Sequence, residues 1–351
     1  MKLIFIIILF YPSLLSAQIS DVSRADIQKH FQEAKTKFTA FEKMHGHFIE
    51  TKHVRMHYLS WGKPSDTPLI WLHGSLSSAY EILPFADKLV KEGYYVIAID
   101  YYGHGQTSIP DHEVALYHVA DDVKFLMDHL KISKAVVGGW SRGGFISTAF
   151  YDTYPEKVLG LILEDGGSVS TNTYYHKMDS TMLIKRVKEI ATQIFGDVSY
   201  ETAFDAYSAF FAKSQNDDQF ELLTWIRQDQ TGKWVFGPGL WKLFNMSTSD
   251  EILKNILRPT RAPLFAESMS VLEPKIIFRN LKVPVMILDP VGKNDLFPFE
   301  KENEILRKQH PALITHEIFE DTGHNIHYQN PEEFTEKVIA FLQTVRLKTR
   351  K

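Results

Sequence analysis

The sequence predicts an α/β fold: a mostly parallel sheet with helices on both faces, interrupted once by an inserted helical segment. Three observations carry this. Short apolar runs alternate with amphipathic stretches of about 10–15 residues, the rhythm of strand–helix–strand units. The rhythm stops after Gly167 and resumes at Val283. The composition, 44% hydrophobic and 23% charged over 351 residues, is that of a globular chain and excludes disorder. Divided by about 150 residues per domain, that length allows two domains or one large domain with an insertion.

Taken in order, residues 1–17 read as a signal peptide. Lys2 precedes the apolar run Leu3–Leu15, and Ser16-Ala17 supplies small residues for cleavage near Ala17. The run falls short of the ~20 residues that span a bilayer, and Pro12 interrupts it. A secreted or periplasmic protein, with no stable membrane insertion after cleavage, is the expectation. Residues 18–46 form an N-terminal helical segment. Ile27, Phe31, Ala34, Phe38 and Phe41 recur at spacings of three and four, which places them on one helix face packed against the main domain.

Residues 47–167 are the first part of the core. Phe48–Thr51 and Val54–Leu59 alternate as half-buried strands do. Pro68–Leu72, Tyr94–Ile99, Ala135–Val137 and Val158–Leu163 are apolar runs suited to buried parallel strands, with helices at Ser78–Glu92, Val119–Leu130 and Ser141–Tyr154 between them. Residues 168–279 read as helices and loops forming a cap. Residues 280–345 complete the core with strand Val283–Leu288, helix Glu300–Gln309, strand Ile314–Phe319 and helix Pro331–Thr344. Residues 346–351 are a basic tail, expected to be a solvated helix end.

Composition narrows function. The formal charge of −4 is too balanced for broad electrostatic binding of nucleic acid. The chain has no cysteine, which excludes disulfides, thiolate metal sites and cysteine nucleophiles. No H-E-x-x-H, P-loop or G-x-G-x-x-G is present, so no metal and no nucleotide cofactor is indicated.

The chemistry-bearing motif is Gly139-Trp140-Ser141-Arg142-Gly143, a G-x-S-x-G between a strand and a helix. Such a turn lifts the Ser141 hydroxyl above the sheet edge. Gly139 and Gly143 flank it because a Cβ there would collide with neighbouring backbone. The helix N-terminus behind it offers N–H groups to developing negative charge. A serine needs a base, and the base needs an acid that orients it. His324, after the last strand, is the expected base, with His327 structural or pocket-lining. Asp295, on the loop after the Val283 strand, is the expected acid; Asp165 and Asp289 are its rivals. The oxyanion hole is expected from the backbone N–H of Ser75 and of Arg142, with His73 bracing the first of these loops. The Arg142 side chain is expected to point along its helix to a carboxylate partner; the alternative is contact with an anionic substrate.

Together, His73-Gly74, Asp100–Gly105, Gly139–Gly144, Tyr154–Val158, Gly292–Asp295 and Gly323-His324 resemble the α/β-hydrolase superfamily, in the branch with a helical cap between two strands. The resemblance spans about residues 48–343. It implies the α/β-hydrolase fold, a Ser–Asp–His catalytic triad on a nucleophile elbow, and a structural turn at Asp100–Gly105 in which His104 packs. Two departures stand out. The strand from Val283 runs on through Asp289-Pro290, and the His73–Leu76 loop lacks the proline and extra glycine usual in proline iminopeptidases.

The function implied is a serine esterase acting on a small-molecule acyl substrate. An aminopeptidase, a lactonase and a carbon–carbon bond hydrolase share the fold and remain open. So does a ligand-binding protein on a hydrolase scaffold. An aminopeptidase would need acidic cap residues to grip an amine, for which Asp217, Asp218, Glu221 and Asp229 are candidates. A haloalkane or epoxide hydrolase would require an aspartate in place of Ser141. The cap aromatics Tyr174, Tyr175, Trp225, Trp234, Phe236 and Trp241 are expected mostly to form the cap's own core.

Overall fold

The computed structural model describes residues 22–192, 198–213, 217–292 and 297–349. The signal-peptide reading falls outside these residues. Among them, no helix is long and apolar enough to cross a membrane.

Eight strands form one sheet: β1 (Gly46–Glu50), β2 (Arg55–Trp61), β3 (Thr67–Leu72), β4 (Tyr94–Ile99), β5 (Ala135–Trp140), β6 (Val158–Glu164), β10 (Val285–Val291) and β11 (Ile314–Glu320). Their order is β1-β2-β4-β3-β5-β6-β10-β11. β1, β2 and β4 pair antiparallel, and every other pairing is parallel. Tyr94–Ile99 and Ala135–Trp140 are buried along their whole length, as strands covered on both faces must be. Helices Leu83–Lys91 and Pro331–Thr349 pack together, as do helices Leu116–His129 and Arg142–Thr153.

The insertion between β6 and β10 is mainly helical but differs from expectation in one respect. It holds a small antiparallel sheet, with β7 (Ser199–Tyr200), β8 (Ile226–Gln228) and β9 (Trp234–Phe236) in the order β7-β9-β8. Strands of two or three residues are too short for alternation to show in the sequence. Trp225 and Phe236 stack in the insertion's own core, with ring centroids 5.7 Å apart.

The N-terminal helix Arg24–His45 starts at a capping box between Ser23 and Asp26 and buries Ile27, Phe31 and Ala34. It packs on more than the core. Phe31 meets Tyr207 of the insertion at 5.2 Å, while Phe41 meets Tyr80 of the core at 5.2 Å and Phe220 of the insertion at 5.3 Å. The basic tail also departs from a purely solvated end. Arg346 donates to the carbonyls of Glu92 and Gly93 at 3.0 and 2.8 Å and lies over the Tyr94 ring.

A buried ion cluster fastens the helix to the sheet. His57 on β2 donates from Nδ1 to Asp100 (2.7 Å) and from Nε2 to Glu42 of the helix (3.0 Å). Asp100 also accepts the N–H groups of Ala79 and Gln106, which makes it the structural turn residue expected. Burial lowers the affinity of His57 for a proton, but the bonds to Asp100 and Glu42 outweigh it and lift its pKa to about 9. An unfolded imidazole titrates near 6.5. The stabilisation is therefore full below about pH 6.5 and is lost as pH rises towards 9. His316 and His327 shift in the same direction. Urea midpoints are expected to fall between pH 6.5 and 9, and to fall less steeply in His57→Gln; equal slopes would remove His57 from this account.

Candidate active site

The site lies at the carboxyl ends of the parallel strands, where loops from neighbouring strands converge. Ser141 follows β5 directly and has φ 52° and ψ −118°. A non-glycine residue held there stores of order 1–3 kcal/mol of strain, which the surroundings must hold in place. Two contacts do so: Ser141 N–H donates to the Glu164 carbonyl at 2.8 Å, and helix Arg142–Thr153 begins at once. A Cβ on Gly143 would sit 1.8 Å from the Leu72 carbonyl oxygen, and one on Gly139 2.4 Å from the same atom. Both glycines are where backbone presses on backbone, as the motif predicts.

His324 lies past β11 and reaches back to Ser141. Its Nε2 is 2.9 Å from Ser141 Oγ. Its Nδ1 is 2.5 Å from Asp165 Oδ2, so the Nδ1 proton is donated to the carboxylate and Nε2 accepts from the hydroxyl. Among the described residues the acid held by His324 is Asp165, one of the two rivals in the sequence. Asp295 lies among residues 293–296, outside the described residues. Asp165 directly follows the last residue of β6, the strand between β5 and β10, with φ 41°. Its N–H donates to the Leu288 carbonyl at 2.9 Å, which fixes the loop. The rival Asp289 is engaged elsewhere, by His316 at 2.6 Å and by Asn303.

Three other histidines around the site, His327, His73 and His104, have structural partners. His327 Nδ1 is 2.8 Å from both carboxylate oxygens of Glu164 and does not approach Ser141 in the hydrogen-bond network. His73 stacks on Tyr101 at 4.2 Å, its Nδ1 donates to the Gly74 carbonyl, and burial pushes its pKa down to about 4. His104 donates from Nδ1 to the Tyr102 carbonyl and accepts the Leu76 N–H at Nε2.

The N–H groups of Ser75 and Arg142 make no hydrogen bond among the described residues, and both residues line the cavity that Ser141 and His324 enter. Two supporting residues escaped the sequence reading. Glu81 accepts the Gly74 N–H (3.0 Å) and the Trp71 indole (2.8 Å), so it holds the Ser75 loop from behind; burial raises its pKa to about 7. Trp140 donates its indole N–H to the His324 carbonyl at 2.6 Å and so ties the histidine loop to the nucleophile strand. An acid among apolar residues at Ala79–Ile82 was the visible trace of the first. The second left none beyond its place before Ser141.

The cavity measures about 320 Å³ and is lined by the core and the insertion together. Leu76 and Phe145 come from the core; Tyr175, Trp241, Phe244 and Arg186 come from the insertion. Arg142 is not paired as expected. Its Nε donates to Ser75 Oγ at 2.8 Å and its guanidinium lies 3.8 Å over the Phe244 ring. Burial pushes its pKa down to about 10, and only the Tyr101 phenol acts against that. Among the described residues, no group of histidines and carboxylates could hold a metal ion.

With the geometry in place, comparison with known proteins assigns the family. Residues 67–331 match the α/β hydrolase fold family. The chain belongs to that family. Among curated relatives, this α/β hydrolase is 30% identical to epoxide hydrolase 4 of Homo sapiens over 143 residues, which is 39% of this chain and 38% of that protein. It is 26% identical over 301 residues to the 2-hydroxy-6-oxononadienedioate/2-hydroxy-6-oxononatrienedioate hydrolase of Escherichia coli O81 (strain ED1a), covering 83% of this chain and 92% of that one. Of solved structures, a carboxylesterase of the thaumarchaeon Nitrososphaera gargenis superposes with a TM-score of 0.56 at 18% identity, covering 86% of this chain and all of the other (100%). At that identity the likeness speaks for the fold alone. The α/β hydrolase chain spans only about a third of the first two curated relatives it matches, 38% and 33% of their lengths.

Proposed function

We propose that this α/β hydrolase is an exported serine esterase that works through an acyl-enzyme. The observation that carries the reading is His324, bonded at once to Ser141 Oγ and to Asp165. Ser141 Oγ attacks the ester carbonyl while His324 Nε2 takes its proton, and Asp165 holds the resulting imidazolium. The carbonyl oxygen gathers negative charge beside the N–H groups of Ser75 and Arg142. Collapse breaks the bond to the alcohol, which leaves with the proton from His324. Water then attacks the acyl-enzyme with His324 as base, and the acid is released.

Two points favour an ester over an amino-terminal peptide or an epoxide. Asp217, Asp218, Glu221 and Asp229 contribute nothing to the cavity lining, so these four form no acidic grip for an amine beside Ser141. Asp218 instead pairs with Lys37, and Asp229 caps its own turn. The similarity to an epoxide hydrolase does not extend to the nucleophile as expected for that chemistry, because Ser141 stands where an aspartate would be needed. Export rests on Lys2 and the apolar run that follows it.

The test is labelling with a fluorophosphonate beside turnover of a 4-nitrophenyl ester panel. The expected result is one adduct, on Ser141 by peptide mass spectrometry, with ester turnover lost in proportion to labelling. Turnover that survives complete reaction with the probe, or an unlabelled Ser141, would remove the proposal.

A further inference from the structure

Arg142 presents a charge that the protein itself leaves unanswered. The side chain is 6% exposed. Among the described residues only its Nε finds a hydrogen-bond partner, the neutral hydroxyl of Ser75. One face of the guanidinium rests on Phe244, with Phe265 at 5.6 Å. No carboxylate pairs with it among the described residues. The contrast with other arginines is instructive. Arg227, also largely buried, spends its guanidinium on the carbonyls of Gly105 and Thr107. Arg186, on the insertion side of the cavity, has Glu189 at 3.5 Å. Asp165, the carboxylate lining the cavity, is engaged by His324.

A buried cation without a partner is costly, and proteins place one where something else supplies the anion. Here the free edge of the guanidinium belongs to a residue that lines the cavity and adjoins the nucleophile. A planar guanidinium edge matches a carboxylate, with two parallel N–H···O bonds. The bond to Ser75 and the stack on Phe244 hold the plane fixed, so little freedom is lost on binding. A single available guanidinium edge offers the two donors that one carboxylate takes.

We propose that Arg142 receives a carboxylate carried by the substrate close to the scissile carbonyl, so that the preferred esters are anionic. This rests on the serine-esterase reading above for its rate measurements but not for its binding measurement.

The experiment compares matched esters. On the acyl side these are 4-nitrophenyl hemiadipate and 4-nitrophenyl hexanoate; on the alcohol side, 4-carboxyphenyl and 4-carbamoylphenyl hexanoate. The wild type is expected to favour the anionic member of at least one pair by about tenfold or more in kcat/KM, mainly through KM. Arg142→Met should bring that ratio close to one, and Arg142→Lys should keep part of it. In parallel, adipate binding to Ser141→Ala, followed by calorimetry, should weaken about tenfold when Arg142→Met is added, while neutral adipamide is indifferent. Thermal melting shows that each variant is folded. Ratios and adipate affinity that ignore Arg142 would overturn the proposal. So would an equal fall in kcat for charged and neutral esters, which would place the guanidinium at the reacting oxygen instead. If no ester is cleaved but adipate binding depends on Arg142, the anion site stands and the esterase reading falls.

Discussion

Ser141→Ala is expected to lower kcat on a 4-nitrophenyl ester by a factor of order 10⁶, and His324→Ala by a similar factor. The double variant should lose no more than either one. The reason is that the two groups act as a unit: without the hydroxyl there is nothing to deprotonate, and without Nε2, 2.9 Å away, the hydroxyl remains a poor nucleophile. Neither change should unfold the protein. Ser141 holds its strained backbone through its N–H bond to Glu164 and the glycine contacts around it, none of which uses Oγ. Residual turnover above the solvent rate is expected to persist, because the Ser75 and Arg142 N–H groups survive both substitutions and still favour an oxyanion. The check is single-turnover kinetics on freshly purified variants. Losses that multiply in the double variant would show that Ser141 and His324 serve separate steps.

What the sequence revealed of this site follows from how local each signal is. The turn at Ser141 is written in five consecutive residues, and its glycines are required by contacts with Leu72, so the motif and the geometry coincide. His324 could be placed because it lies just past the last strand with a glycine before it. The acid could not be placed the same way. Two loops at the same sheet edge each offer an aspartate, one after β6 and one after β10, and chain order alone does not separate them. Of the described residues it is Asp165 that bonds His324, with its backbone in the left-handed region. The trace in the sequence is Glu164-Asp165-Gly166-Gly167, an acidic pair at the end of a buried strand just before a glycine pair. The residues that hold the site from behind were less legible still. Glu81 and Trp140 act through contacts with the Gly74 N–H and the His324 carbonyl, and only the folded chain brings these together.

The insertion illustrates the same limit. Its aromatics look alike in the sequence, yet they divide by place. Trp225 and Phe236 stack within the insertion, whereas Tyr175 and Trp241 face the cavity beside Ser141. The cavity beside Ser141 is therefore walled by core and insertion together. Changes in Tyr175 or Trp241 would reshape that cavity without touching the bonds of His324 to Ser141 and Asp165.

Asp165→Asn is expected to lower kcat about 10⁴-fold while leaving the fold intact. The carboxylate accepts the Nδ1 proton at 2.5 Å and so keeps Nε2 free to accept from Ser141. An asparagine can turn its amide N–H₂ towards Nδ1. That would favour the tautomer with the proton on Nε2, which points a donor at a donor and leaves Ser141 without a base. It would also remove the negative charge that offsets the imidazolium formed during attack. The same substitution at Asp289 makes a control, since that carboxylate serves His316 and Asn303 and not His324. Its expected cost falls on stability, with kcat within about threefold of the wild type. Asp295→Asn is the decisive partner measurement. If Asp165 is the orienting acid, Asp295→Asn keeps kcat within the same range and the pH–rate profile is unchanged. A loss of about 10⁴-fold at Asp295, with Asp165→Asn nearly silent, would return the acid to the loop after β10 and leave Asp165 as a structural brace for the histidine.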